Sequence, residues 1–156
     1  MQKGALHWTA YTAFRPPVLA ALGSQDMRIG DQHHSLTISK NDPDDPYSGV
    51  TVKVHMDTYT DLACFQGMNS ALHLCGENLL ANLDGFKDFT INKVEIDLTT
   101  DSYIRLEREV LGGIQLTYRI CYWTQEDMAA LSGVIHVDGE YNYQLIEHLT
   151  SLVQAL

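Results

Sequence analysis

Basic residues are scarce in this chain. Ten Lys and Arg stand against twenty Asp and Glu in 156 residues, a formal net charge of −10. Nucleic-acid binders neutralise phosphates with clustered Lys and Arg, so nucleic acid is excluded as the expected partner. An anionic membrane surface is excluded on the same ground. Cysteine is scarce as well. Cys64, Cys75 and Cys121 are odd in number and widely spaced, which does not make a disulfide framework. Reduced thiols and a cytoplasmic location are the expectation. No apolar run reaches the roughly 18 residues that a membrane span requires.

The motifs of common chemistry are missing too. There is no CxxC, HExxH or HxH, the spacings that gather metal ligands. His33 and His34 are adjacent and cannot face one way in a strand, while His73 and Cys75 are two apart. No GxSxG elbow and no GxGxxG or GxxxxGK[ST] loop occurs. The expectation is no catalytic residue, no metal and no cofactor.

What is present is a globular pattern. Hydrophobic residues make up 45% and charged residues 19%, which suits one folded domain of this length. Residues 1–26 stand apart: they hold Lys3 and Arg15, one acid (Asp26), His7, Trp8, Tyr11, Phe14 and Pro16-Pro17. They read as an accessory segment, with residues 27–156 as a single α+β domain.

From Met27 the sequence is β-rich. MRI and SLTIS read as an opening hairpin, and NDPDDPYSG as a loop. In VTVKVHMDTY, Val50, Val52, Val54 and Met56 share one face, the mark of a half-buried strand. TDLACFQG reads as a loop and NSALHL as a short strand. In CGENLLANLDGF, Leu79, Leu80, Leu83 and Phe86 lie on one helical face, with Asp84-Gly85 as the stop. Strands follow at KVEIDL, YIRLERE, GIQLTYRICYW and ALSGVIHV, with a hairpin signal at Gly112-Gly113. In EYNYQLIEHLTSLVQAL, Leu145, Ile146, Leu149, Leu152, Val153 and Leu156 make one apolar stripe that must be buried. The expected architecture is an antiparallel, meander-rich sheet of about six to eight strands, packed against a C-terminal amphipathic helix and one shorter helix.

Glu95 and Asp97 point outward from one strand, and Glu107 and Glu109 from the next, beside Arg105. A wet sheet face is usual for antiparallel sheets, and a flat face offers no cleft to perturb a carboxyl pKa. The loop acids Asp42, Asp44 and Asp45 add negative charge. Trp123 ends the longest strand on its polar side, and Tyr59, Tyr103, Tyr141 and Tyr143 sit at element ends, where aromatics serve as binding anchors or cover the rim of the core.

From Met27 onward the chain resembles the WapI-like immunity proteins of bacteria. The resemblance rests on MRIGDQHHSLTIS, CFQG, ENLLANLDGF, GGIQLTYRICYW and VIHVDGEYNYQLIEHLTSLVQAL, in that order. It implies a cytoplasmic protein that neutralises a polymorphic toxin, often a nuclease, by occlusion. Charge complementarity suits a basic protein partner. The expected binding residues are Glu95, Asp97, Glu107, Glu109, Asp42, Asp44, Asp45 and Trp123. Two other readings stand beside this one. A small-molecule or enzymatic domain would need a pocket, sought near His73, Cys75 and the acidic face. A self-associating module would pair through an exposed edge strand.

Overall fold

A computed structural model describes residues 7–12, 26–42, 44–45, 48–57, 64–75, 78–99, 101–123 and 125–154, with the backbone alone described at 7–12, 26, 64–66, 70–71, 74–75, 123 and 154. The elements in chain order are β1 (His7–Thr12), β2 (Asp26–Gly30), β3 (His34–Lys40), β4 (Val50–Asp57), β5 (Cys64–Leu72), β6 (Leu74–Cys75), α1 (Leu79–Lys87), β7 (Lys93–Leu98), β8 (Ser102–Arg108), β9 (Ile114–Trp123), β10 (Met128–Val137) and α2 (Asn142–Gln154). A 3-10 turn over Gly139–Tyr141 leads into α2. The α+β class and the C-terminal helix are as the sequence predicts.

The strands form two sheets where the sequence suggests one. The smaller runs β2-β3-β4-β5 and the larger β1-β10-β9-β8-β7-β6. Alternation reveals which face of a strand is apolar but not which strand lies beside it, so the division could not be read from the pattern. The chain crosses between sheets at His73, which splits the expected strand NSALHL into the end of β5 and the first residue of β6. CFQG, expected as a loop, belongs to β5. Gly67 makes room there for Leu131, whose Cδ1 would lie 2.0 Å from a Cβ and would have to shift.

Within the segment read as accessory, the backbone of His7–Thr12 lies beside β10 in parallel, with His7 opposite Ala130 and Thr12 opposite Ile135. All other strand pairs are antiparallel.

One core joins both sheets and both helices. Val50, Val52, Val54 and Met56 of β4 meet Leu116, Tyr118 and Ile120 of β9 and Leu145, Ile146, Leu149 and Leu152 of α2 in a single buried cluster. Across it, His34 of β3 and Tyr118 of β9 are hydrogen-bonded at 2.6 Å. Burial drives the His34 pKa down to about 4 and the Tyr118 pKa upward, because both charged forms would be poorly solvated. Cys121 lies on the side expected to be wet but is fully buried, its Sγ 3.6 Å from Asp101 O.

The first helix passes through Gly85 and ends two residues beyond it, at Lys87. Phe89 N donates to Phe86 O and Thr90 N to Gly85 O. This is the Schellman pattern, in which the residue after the C-cap turns left-handed. That residue is normally glycine; here it is Phe89, at φ 62°. Leu80, expected on the apolar face, is exposed.

Candidate functional site

The outward face of the larger sheet is less acidic than its glutamates suggest. Strand register puts Glu95 opposite Arg105, Lys93 opposite Glu107 and Asp97 opposite Tyr103. Arg105 holds Glu95 Oε2 from both Nε (2.9 Å) and Nη2 (2.7 Å). This bond keeps the Glu95 carboxyl below the usual carboxylate range. Arg119 lies opposite Tyr103 on the next strand. Cations therefore alternate with acids across the face, the usual composition of a solvated sheet surface.

The expected acids also divide between the two ends of the strands. Asp97 lines a depression of about 490 Å³ with Asp101, Ser102, Tyr103 and Arg119. The loop of Asp42, Asp44 and Asp45 belongs to the smaller sheet and ends at Gly49, beside His73. His73 N is in turn bonded to Thr99 Oγ1 in the β7–β8 turn, which places the loop toward the Asp97 end. Asp42 spends its carboxylate on Asp44 N at 2.9 Å. Glu107 and Glu109 lie at the other end, the first near the end of β8 and the second just after it. Trp123 closes β9 opposite Met128; its side chain, like that of Cys75, lies outside the described residues, as does Tyr59.

The Glu107–Glu109 end holds an arrangement that the sequence reading missed. Val110 and Leu111, in the β8–β9 turn, are almost wholly exposed at 103% and 98%. The turn is well braced. Glu109 N donates to Gly113 O at 2.9 Å and Gly112 N to Glu109 O at 3.0 Å. Asn142, at the start of α2, donates from Nδ2 to Gly112 O at 2.5 Å. Glu109 is hydrogen-bonded to His136 Nδ1. Gly112 supplies the positive φ, +94°, that the turn needs.

Two more apolar groups emerge beside the turn. Arg108, the residue at the end of β8, is sandwiched between Phe86 (4.4 Å) and Phe89 (3.9 Å) and donates to Phe86 O. This ties the end of α1 to the end of β8. Phe89 is 73% exposed, an aromatic ring held outward by a backbone conformation that costs about 1–2 kcal/mol for a non-glycine residue. Tyr143 is also exposed, with Lys87 Nζ 5.0 Å from its ring; Lys87 in turn pairs with Glu147 at 2.6 Å. Exposed acids surround these groups: Asp88 beside Phe89, Glu107 on β8, and Asp138 and Glu140 beside the turn, where Gly139 approaches Gly112. Turn apolar residues carry no periodic signal, which is why VL in REVLGG read only as a connector.

Among the described residues, no group of three or more His, Cys, Asp and Glu could hold a metal ion, and no helix is long and apolar enough to cross a membrane. The fold and this end together define a two-sheet α+β protein that presents a rigid apolar tip within an acidic rim. No protein-family model matches the sequence, and no curated protein or solved structure matches it.

Proposed function

We propose that this is a non-catalytic binding protein that docks a basic protein partner on the β8–β9 end. The supporting observation is the near-complete exposure of Val110 and Leu111 on a turn fixed by hydrogen bonds from three sides. A flexible loop loses entropy when it binds; a braced one has already lost it. Apolar anchors inside a polar rim are the anatomy of a protein interface. Phe89 supplies the aromatic anchor, and Asp88, Glu107, Asp138 and Glu140 give the rim its sign. The partner is then basic around an apolar recess. The resemblance noted in the sequence makes a toxin domain the proposed partner, blocked by occlusion in the cytoplasm of a bacterium.

The test is capture from cells of the source organism with two baits, the unaltered protein and the Val110→Asp/Leu111→Asp variant. A basic protein retained by the first and lost by the second supports the reading. Identical captures by the two baits reject it.

A further inference from the structure

The outward face of the smaller sheet forms a cavity of about 690 Å³, lined among the described residues by Arg28, Gln32, Ser35, Thr37, Lys53, His55 and the apolar Val54, Gly67 and Met68. Its size lies within the range that holds a small organic ligand. Strand register explains how the donors come together. Arg28 pairs with Thr37, Thr37 with Lys53, and Lys53 with Met68, so these four side chains form one row across all four strands. The next row carries Gly30, Ser35 and His55. Arg28 and Lys53 are two strands apart, about 10 Å between backbones, a span within the reach of two long cationic side chains.

The charge of this cavity runs against that of the chain. No carboxylate lines it among the described residues, although acids outnumber bases two to one in the sequence. Two cations elsewhere are paired with acids, Arg105 with Glu95 and Lys87 with Glu147. Neither Arg28 nor Lys53 makes an ion pair among the described residues, and the Arg28 Nη2 donates instead to a main-chain oxygen, Asp31 O, at 3.3 Å. That contact steadies the guanidinium without neutralising its charge. The nearby acid, Asp57, is engaged with His33 at 2.6 Å and His55 at 3.4 Å, which also fixes His55 along the rim.

We propose that this cavity binds a small organic phosphate, its phosphoryl group held between Arg28 and Lys53 over Thr37 and its organic part lying against Met68. Two full positive charges flanking a hydroxyl, with Ser35 and Gln32 alongside, supply more donors than one carboxylate accepts and suit a dianion with three terminal oxygens. Met68 is exposed and adaptable, as a surface for a flat or irregular apolar body should be.

The experiment is titration of the whole protein with adenosine monophosphate, inorganic phosphate and succinate, followed by calorimetry and by amide chemical shifts. Adenosine monophosphate is expected to bind more tightly than inorganic phosphate, with shifts centred on Arg28, Thr37, Lys53 and Met68. Arg28→Gln and Lys53→Gln are each expected to weaken it at least about tenfold, the loss of one charge-assisted contact, and Lys53, being exposed, is replaceable without harm to folding. Phosphate binding as tight as the nucleotide's would remove the organic part of the proposal. Preferential binding of succinate, shifts elsewhere, or no binding by any of the three would overturn it. The Val110→Asp/Leu111→Asp variant is expected to bind adenosine monophosphate normally, so this site and the partner-docking end stand or fall separately.

Discussion

His34 Nε2 and the Tyr118 hydroxyl meet at 2.6 Å, and the two residues belong to different sheets. The pair is a polar bolt through an otherwise apolar core. His34 is held neutral in it, because the imidazole is buried and its charged form is disfavoured.

Stability should therefore fall on mild acidification. The folded chain releases the His34 proton at about 4, against 6.5 for the ordinary imidazole. Between these values the unfolded chain binds more protons, so unfolding gains as pH drops through that window, by about 3 kcal/mol in all. Urea unfolding across the window should show this slope in the native protein and a shallower one in His34→Asn. Parallel slopes would show that His34 is not the group responsible.

The space over Gly133 makes a second prediction. A Cβ there would lie 2.4 Å from the Tyr118 hydroxyl oxygen and 2.6 Å from Cζ. Gly133→Ala should displace the phenol and break its bond to His34, destabilising the protein by about 2–4 kcal/mol. In combination with Tyr118→Leu the two losses should be markedly less than additive. Strict additivity in a denaturant double-mutant cycle would count against the contact.

The β8–β9 turn separates stability from binding. Val110→Ser/Leu111→Ser removes side chains that touch solvent, so stability should stay within about 0.5 kcal/mol while partner affinity falls. Gly112→Ala meets no neighbour within 4 Å, so its effect is the backbone penalty of a positive φ, about 1 kcal/mol. It should weaken the partner complex by misaiming the two apolar side chains. Full affinity in the Gly112 variant would mean that the shape of the turn is irrelevant.

Phe89→Gly should trade in the opposite direction. The left-handed backbone at φ 62° is relieved, while the ring stacked on Arg108 is lost. These terms are each about 1 kcal/mol and oppose one another, so the melting temperature should barely move. Partner affinity should nevertheless drop. A large loss of stability would instead make Phe89 a structural residue.

Charge reversal distinguishes the end of the sheet from its face. Glu107→Lys and Asp138→Lys should weaken the partner and flatten its salt dependence. Glu95→Gln should leave affinity alone and alter stability by less than about 1 kcal/mol, as for other solvent-screened pairs. Its small stabilising effect is present at neutral pH and is lost on acidification through the lowered Glu95 pKa. Equal loss of affinity from all three would restore the whole acidic face as the interface.

How much of this was legible in the sequence varies with the range of the cause. Val50, Val52, Val54 and Met56 announce a half-buried strand because the signal is local and repeats at every second residue. The stripe of α2 is equally plain. Gly67 could not be read, since its reason is Leu131 on another strand of another sheet. Nor could the end of α1, where a phenylalanine takes the place of the usual glycine. The cationic row was invisible for a simpler reason. Arg28 and Lys53 each look like ordinary outward positions, and only the insertion of β3 between their strands makes them neighbours of the same space. The acids misled for the converse reason: Glu95 reads as part of a patch until its register partner proves to be Arg105.

The parallel pairing of β1 with β10 has a kinetic side. Every other strand joins its sheet within the span from β2 to β10, mostly through short turns, whereas β1 must close a loop over nearly the whole chain. Loop closure of that length makes docking late rather than early. Until it happens, one edge of β10 presents unpaired amides and carbonyls, the kind of edge on which chains join one another. The last strand to arrive is therefore also the guard against aggregation, and the protein's tendency to clump during refolding should be set by how quickly His7–Thr12 finds its place.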